Sequence, residues 1–102
     1  MRVELLYFQG CAHHGATVER VREVLAREGV RAEVREIWVR DAEDAARLRF
    51  LGSPTVRIDG IDVEPGANER EHGGVACRWY GDSGIPSQEL LRAAIRSRRP
   101  AK

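Results

Sequence analysis

The stretch Val3-Glu4-Leu5-Leu6-Tyr7-Phe8-Gln9-Gly10-Cys11-Ala12-His13-His14-Gly15-Ala16-Thr17 constrains the fold more than any other part of the chain. Its continuous apolar run, Leu5 to Phe8, predicts a strand covered on both faces and therefore central in its sheet. Gly10 breaks that strand. From about His13 to Glu28, Val18, Val21 and Leu25, with Val24 beside them, recur at helical spacing, while Glu19, Arg20, Arg22, Glu23 and Arg27 cover the opposite side. Gly29 is expected to end the helix as a left-handed cap. Cys11 falls where strand gives way to helix. The first helical turn leaves backbone N–H groups unpaired and carries roughly half a positive charge, so a thiolate there is expected to have a pKa below roughly 8.5.

Residues 32 to 40 carry β-branched and aromatic side chains and read as a second strand, parallel to the first through the intervening helix. Asp41 is an N-cap for a short helix from about Ala42 to Leu51, with Ala45, Leu48 and Leu51 inward and Gly52 as its stop. Thr55-Val56-Arg57-Ile58 and Ile61-Asp62-Val63-Glu64 alternate about Asp59-Gly60, which marks an antiparallel hairpin. Pro65 to Gly74 reads as a mobile loop, and Val75 to Tyr80 as a further short extended segment holding Cys77. Ser87 caps a last helix with Leu90, Leu91, Ala94 and Ile95 as its apolar stripe, and Arg96 to Lys102 should fray.

The element order implies an α/β domain with a central mixed four-stranded sheet and helices on both faces. The 102 residues allow one core, hence one domain over 1–102. A formal net charge of +1 without a basic stripe argues against a nucleic-acid partner. No apolar segment approaches the roughly 18 residues that span a bilayer, so no membrane association is expected. Nothing near Met1 resembles a signal peptide, and a cytoplasmic, reducing location is the expectation. There, cysteines are more often redox-active or metal-binding than structural. The pattern fixes no oligomeric state.

Strand, helix, strand, helix, strand, strand, helix, with a cysteine opening the first helix and Ser53-Pro54-Thr55 before the third strand, resembles the thioredoxin-like fold. The whole chain is similar to small bacterial thioredoxin-like proteins often labelled alkylmercury lyase or mercury-resistance associated. Leu5 to Cys11, Arg49-Phe50-Leu51-Gly52-Ser53-Pro54-Thr55 and Ala76-Cys77-Arg78-Trp79-Tyr80 carry the likeness. It implies a cis-proline at Pro54 beside a reactive sulfur, and backbone groups of Ser53, Pro54 and Thr55 that hold an extended substrate. The lyase activity is not carried over, because true lyases resemble neither this size nor this fold. The motif Cys11-Ala12-His13-His14 also departs from Cys-x-x-Cys, since His14 stands where the resolving cysteine would be. His13 matches the third position of the Cys-Pro-His-Cys motif of strongly oxidising relatives.

Cys11 is thus the candidate nucleophile, with a small buried hydrophobe as its plainer reading. His14 can bond the thiolate or shuttle a proton, or merely be solvated. Cys77 is either a distant resolving thiol, able to reach Cys11 if the Cα atoms lie within about 7 Å, or a buried structural residue. The expected partners are a disulfide or thiol substrate, with glutathione as a second resolving agent. No cofactor is needed for that chemistry. An alternative set, Cys11, His14, His72 and Cys77, offers soft and borderline ligands for Hg or Zn. Asp41, Asp44, Asp59 and Asp62 find roles in caps and a turn, and Trp38, Trp79 and Tyr80 are expected to line the core or a cleft.

Overall fold

A computed structural model describes residues 1–67, 77–81 and 83–98. The chain runs β1 (Arg2–Tyr7), α1 (His14–Arg27), β2 (Glu33–Trp38), α2 (Ala42–Arg47), β3 (Thr55–Ile58), β4 (Ile61–Asp62) and α3 (Gln88–Arg98). The sheet has the order β2-β1-β3-β4. β2 lies parallel to β1, with Tyr7 opposite Trp38, and β3 lies antiparallel to β1, with Leu6 opposite Thr55. The result is a small α/β domain built on a mixed four-stranded sheet.

Successive side chains of β1 face opposite sides, and this alternation sorts the core into two parts. Val3 and Leu5 pack with Val21, Val24 and Leu25 of α1 and with Leu91 and Ile95 of α3. Leu6 packs on the other side with Val39, Ala45 and Phe50, where α2 lies. Both faces of β1 are therefore closed, as the apolar run predicts, and Leu5 and Leu6 are fully buried. Each such side chain contributes roughly 1.5–3 kcal/mol when taken from water.

Several boundaries differ from the sequence reading. α1 starts at His14 with His13 as N-cap, so Cys11 sits before the helix and not in its first turn. The chain leaves β1 through a turn in which Cys11 N–H donates to the Phe8 carbonyl at 3.2 Å, and a second turn follows before helical bonding begins. α2 stops at Arg47 because Arg49 adopts φ 55°, which no helix continues. β4 ends at Asp62, whose Oδ1 accepts from Glu64 N–H at 2.9 Å and turns the chain away. The Asp59-Gly60 hairpin forms as expected, with φ of 51° and 85°. Ser87 caps α3 through Leu90 N–H at 3.0 Å. Arg96 does not fray; its Nε donates to Glu28 at 2.7 Å and ties α3 to α1. Most of the Pro65–Gly74 loop, with His72, and the tail beyond Arg98 lie outside the described residues.

The tryptophans also depart from expectation. Trp38 closes the edge strand β2 and is 49 % exposed, and Trp79 is 63 % exposed. Tyr80 alone of the three is buried. No helix among the described residues is long and apolar enough to cross a membrane.

Candidate functional site

The C-terminal end of β1 gathers most of the residues singled out from sequence. Phe8 N–H donates to Ser53 Oγ at 3.3 Å, so the strand end is fastened to the segment that enters β3. Cys11 follows in the turn, partly exposed, and its carbonyl accepts from His14 N–H at 3.4 Å. The His13 side chain caps none of the first N–H groups of α1. Its ring lies instead against Gly84, where a Cβ would collide with it. The donors of the first helical turn thus lack the side-chain oxygen that Ser, Thr, Asp or Asn would supply.

His14 has a different environment from the one expected of a solvated first-turn residue. Its ring stacks on Tyr7, with centroids 3.8 Å apart and planes within 7°. Its Nε2 lies 2.6 Å from Glu36 Oε1, and both side chains keep contact with solvent. Three elements therefore fix this imidazole: α1 carries it, β1 offers a flat face, and β2 supplies a carboxylate.

On the other side of Cys11's strand, the Ser53–Pro54 peptide bond is cis. Ser53 pairs with Cys77 in an isolated parallel bridge, and Arg78 N–H donates to the Ser53 carbonyl at 3.0 Å. The Tyr80 hydroxyl donates to the Pro54 carbonyl at 2.6 Å. Thr55 Oγ1 donates to the Gly52 carbonyl at 2.5 Å and accepts from Arg78 Nη1 at 3.3 Å. Ser53, Pro54 and Thr55 are all buried. Of the backbone groups of Ser53, Pro54 and Thr55 read from sequence as holding an extended substrate, the Ser53 and Pro54 carbonyls accept here from Arg78 N–H and the Tyr80 hydroxyl of the same chain. Gly52 permits this approach, since a Cβ at that position would lie 2.8 Å from the Arg78 Cβ.

The segment is pinned from beneath. Arg78 is buried, and its guanidinium bonds Asp62 at 2.7 and 2.8 Å and Glu64 at 3.0 Å. The same cation sits 4.4 Å from the Tyr80 ring centroid. Burial pushes the Tyr80 hydroxyl above its ordinary range, against the smaller opposing effect of the Arg78 charge. Strand-like alternation then sets the outward residues: Cys77 and Trp79 are exposed while Arg78 and Tyr80 point in. The reading of Cys77 as a buried structural residue is therefore wrong.

The structure thus brings Cys11, Ser53, Pro54, Thr55 and Cys77 to one end of the sheet and turns His14 toward β2. Both cysteines are free thiols. Among the described residues no three His, Cys, Asp or Glu side chains gather as a metal site would require, and His72 lies outside them. Sequence reasoning missed Glu36 and Arg78. For Glu36 the parallel pairing of β1 with β2 gives no warning, because contact with His14 depends on the path of the intervening turn. For Arg78 a signal existed: alternation through 77 to 80 places it inward, where a guanidinium requires carboxylates. Asp62, read as a polar position of the second hairpin strand and grouped with the aspartates of caps and a turn, is one of them.

No family model matches the chain, and comparison with curated proteins and with solved structures finds no significant relative.

Proposed function

We propose that the chain is a thioredoxin-like thiol protein in which Cys11 attacks the sulfur of a disulfide. The carrying observation is the position of Cys11. It is partly exposed in the turn between the central strand and a helix whose N-cap side chain bonds none of the first-turn amides, and a second free thiol, Cys77, bridges to Ser53 at the same strand end. The order of elements and the sheet order β2-β1-β3-β4 support the fold assignment. In the reaction the Cys11 thiolate forms a new S–S bond, and the displaced substrate sulfur leaves with the electron pair of the broken one. Attack on that mixed disulfide by Cys77 releases the second substrate thiol and leaves a Cys11–Cys77 disulfide. Attack by glutathione on the substrate sulfur, in a cytoplasmic setting, instead forms a substrate–glutathione disulfide and releases the Cys11 thiolate.

The test is competitive alkylation with iodoacetamide at pH 7, read by peptide mass spectrometry. Access alone favours Cys77, which is exposed, over Cys11, which is only partly so. Faster modification at Cys11 is expected, and it would report on the chemistry of that sulfur. A Cys11 that reacts more slowly than Cys77, or only after denaturation, overturns the proposal.

A further inference from the structure

We infer that the outer edge of β2 is a dimerisation surface, and that it receives β2 of a second copy of this chain, antiparallel and centred on Val34. β2 is a terminal strand of the sheet, paired with β1 alone. Glu33 and Val39 point their N–H groups inward, to the Met1 and Tyr7 carbonyls at 3.0 and 2.7 Å. Alternation therefore turns the backbone groups of Val34, Glu36 and Trp38 outward, where the sheet has no further strand. Two copies that continue one sheet through the same edge are related by a two-fold axis normal to it, so directly opposed residues lie on the same face. That rule leaves few registers. A pairing centred on Glu33, Arg35 or Glu36 sets that charge against its own copy, which is repulsive. Centring on Ile37 or Trp38 opposes no Glu33 to Arg35. Centring on Val34 does so on both sides of the axis: Glu33 faces Arg35 of the second copy, and Arg35 faces its Glu33. Within one copy Arg35 Nε already donates to Glu33 at 2.7 Å, and both side chains are more than half exposed. Pairing would join two such couples into one network of alternating sign, the arrangement in which surface charges gain most.

The same register decides what Trp38 meets. Val34 packs on the core beneath α1, and Trp38, an even number of residues further along the strand, faces the same side of the sheet. Opposed about Val34, Trp38 of one copy lies beside Val30 of the other. There an open groove of about 420 Å³ runs between α1 and β2, lined mostly by Leu25, Ala26, Val30, Ala32 and Val34. A half-exposed tryptophan and an apolar groove on one chain are thus matched by the register that the charges favour, which is the self-complementarity of an isologous dimer. Charge on an edge strand usually prevents pairing. Here it selects one register, because opposite signs stand two residues apart on one face.

The experiment is sedimentation velocity of the reduced full chain from about 1 µM to about 1 mM, a range that brackets weak and intermediate dimers. Reduction keeps Cys77, which is exposed, from linking copies covalently. A monomer–dimer equilibrium is expected. Arg35→Glu and Glu33→Arg, each alone, should weaken self-association at least about tenfold, since each turns both symmetric contacts repulsive. An equimolar mixture of these two variants should associate as heterodimers, and Glu33→Arg combined with Arg35→Glu in one chain should restore the parent affinity. Trp38→Ala should weaken the parent dimer at least about tenfold. All three side chains are exposed, and circular dichroism checks that each variant folds as the parent does. A parent that stays monomeric at about 1 mM overturns the inference and leaves the edge to a strand of another protein. A dimer indifferent to Arg35→Glu, or one that the combined exchange does not restore, also overturns it, by placing the contact on another face or in another register.

Discussion

At the scale of single residues, Tyr80 shows how one buried polar group ties chemistry to fold. Its hydroxyl donates to the Pro54 carbonyl at 2.6 Å from a site that burial makes hostile to a phenolate. A group whose pKa is raised on folding contributes stability that is complete below its unfolded value, about 10 for tyrosine, and that drains away as pH rises beyond it. Tyr80→Phe should therefore cost about 1 kcal/mol at pH 7, where the Pro54 carbonyl loses its donor. Above about pH 10 the difference from the parent should narrow, because only the parent gains from ionising this phenol on unfolding. Urea midpoints collected from pH 7 to 11 would check it, and a gap constant across pH 10 would mean that Tyr80 ionises freely in the folded chain. Neighbouring Trp79 has the opposite fate. An aromatic residue type does not announce its side of an extended segment, and only the inward turn of Arg78 and Tyr80 toward Asp62 and Pro54 settles it.

At the scale of elements, two helix ends use the same device with different residues. α1 closes with Gly29 N–H to the Ala26 carbonyl and Val30 N–H to Leu25, both at 3.1 Å, and Gly29 sits at φ 64°. α2 closes in the same pattern, Arg49 N–H to Ala46 at 3.2 Å and Phe50 N–H to Ala45 at 2.8 Å, but the left-handed position holds Arg49 at φ 55°. A side chain in that conformation costs roughly 1–2 kcal/mol relative to glycine, partly offset by the roughly 0.5–1 kcal/mol of freedom glycine loses on folding. Arg49→Gly should stabilise the protein by about 0.5–1 kcal/mol and raise Tm by about 2–8 °C. The Arg57 bond to the residue 49 carbonyl would survive, since it uses backbone. A lower Tm by calorimetry would contradict the assignment. The contrast explains what could be read in advance. Gly29 carries its meaning in its residue type, and the end of α1 was visible; Arg49 carries none, so α2 read as running to Leu51. The apolar run of β1 and the Asp59-Gly60 turn were visible for the same local reason. The contact of Glu36 with His14 was not, because it joins strand β2 to the first residue of α1 across 22 residues of chain.

At the scale of the whole molecule, the described residues leave one long-range ionic fastening in the interior. Arg78 reaches Asp62 and Glu64 from the segment that covers Pro54, and its side chain and that of Asp62 are 2 % and 1 % exposed. Solvent screening is therefore slight, and the pair must be judged as a buried one. Its desolvation offsets most of its attraction, so its presence argues for specificity of placement more than for stability. Here the placement is that of residues 77 to 80 along Ser53 and Pro54, which decides that Cys77 faces out and stands beside the strand end that carries Cys11. Removing one partner is a different matter from removing both. Arg78→Met removes the guanidinium that bonds both oxygens of the buried Asp62 carboxylate and should cost about 3–5 kcal/mol, a large part of the roughly 5–15 kcal/mol that keeps a domain folded. Arg78→Met combined with Asp62→Leu replaces the pair by apolar contact and should recover most of that loss. The two variants should nonetheless share one defect. With the guanidinium gone, the backbone N–H of residue 78 and the Tyr80 hydroxyl still bond the Ser53 and Pro54 carbonyls, but the link to Asp62 and Glu64 is lost, so limited proteolysis near Trp79 should accelerate in both. Urea unfolding separates the stability of the two variants, and cleavage kinetics tests the fastening. A double variant that is stable yet cleaved no faster than the parent would show that the backbone bonds alone hold residues 77 to 80 in place.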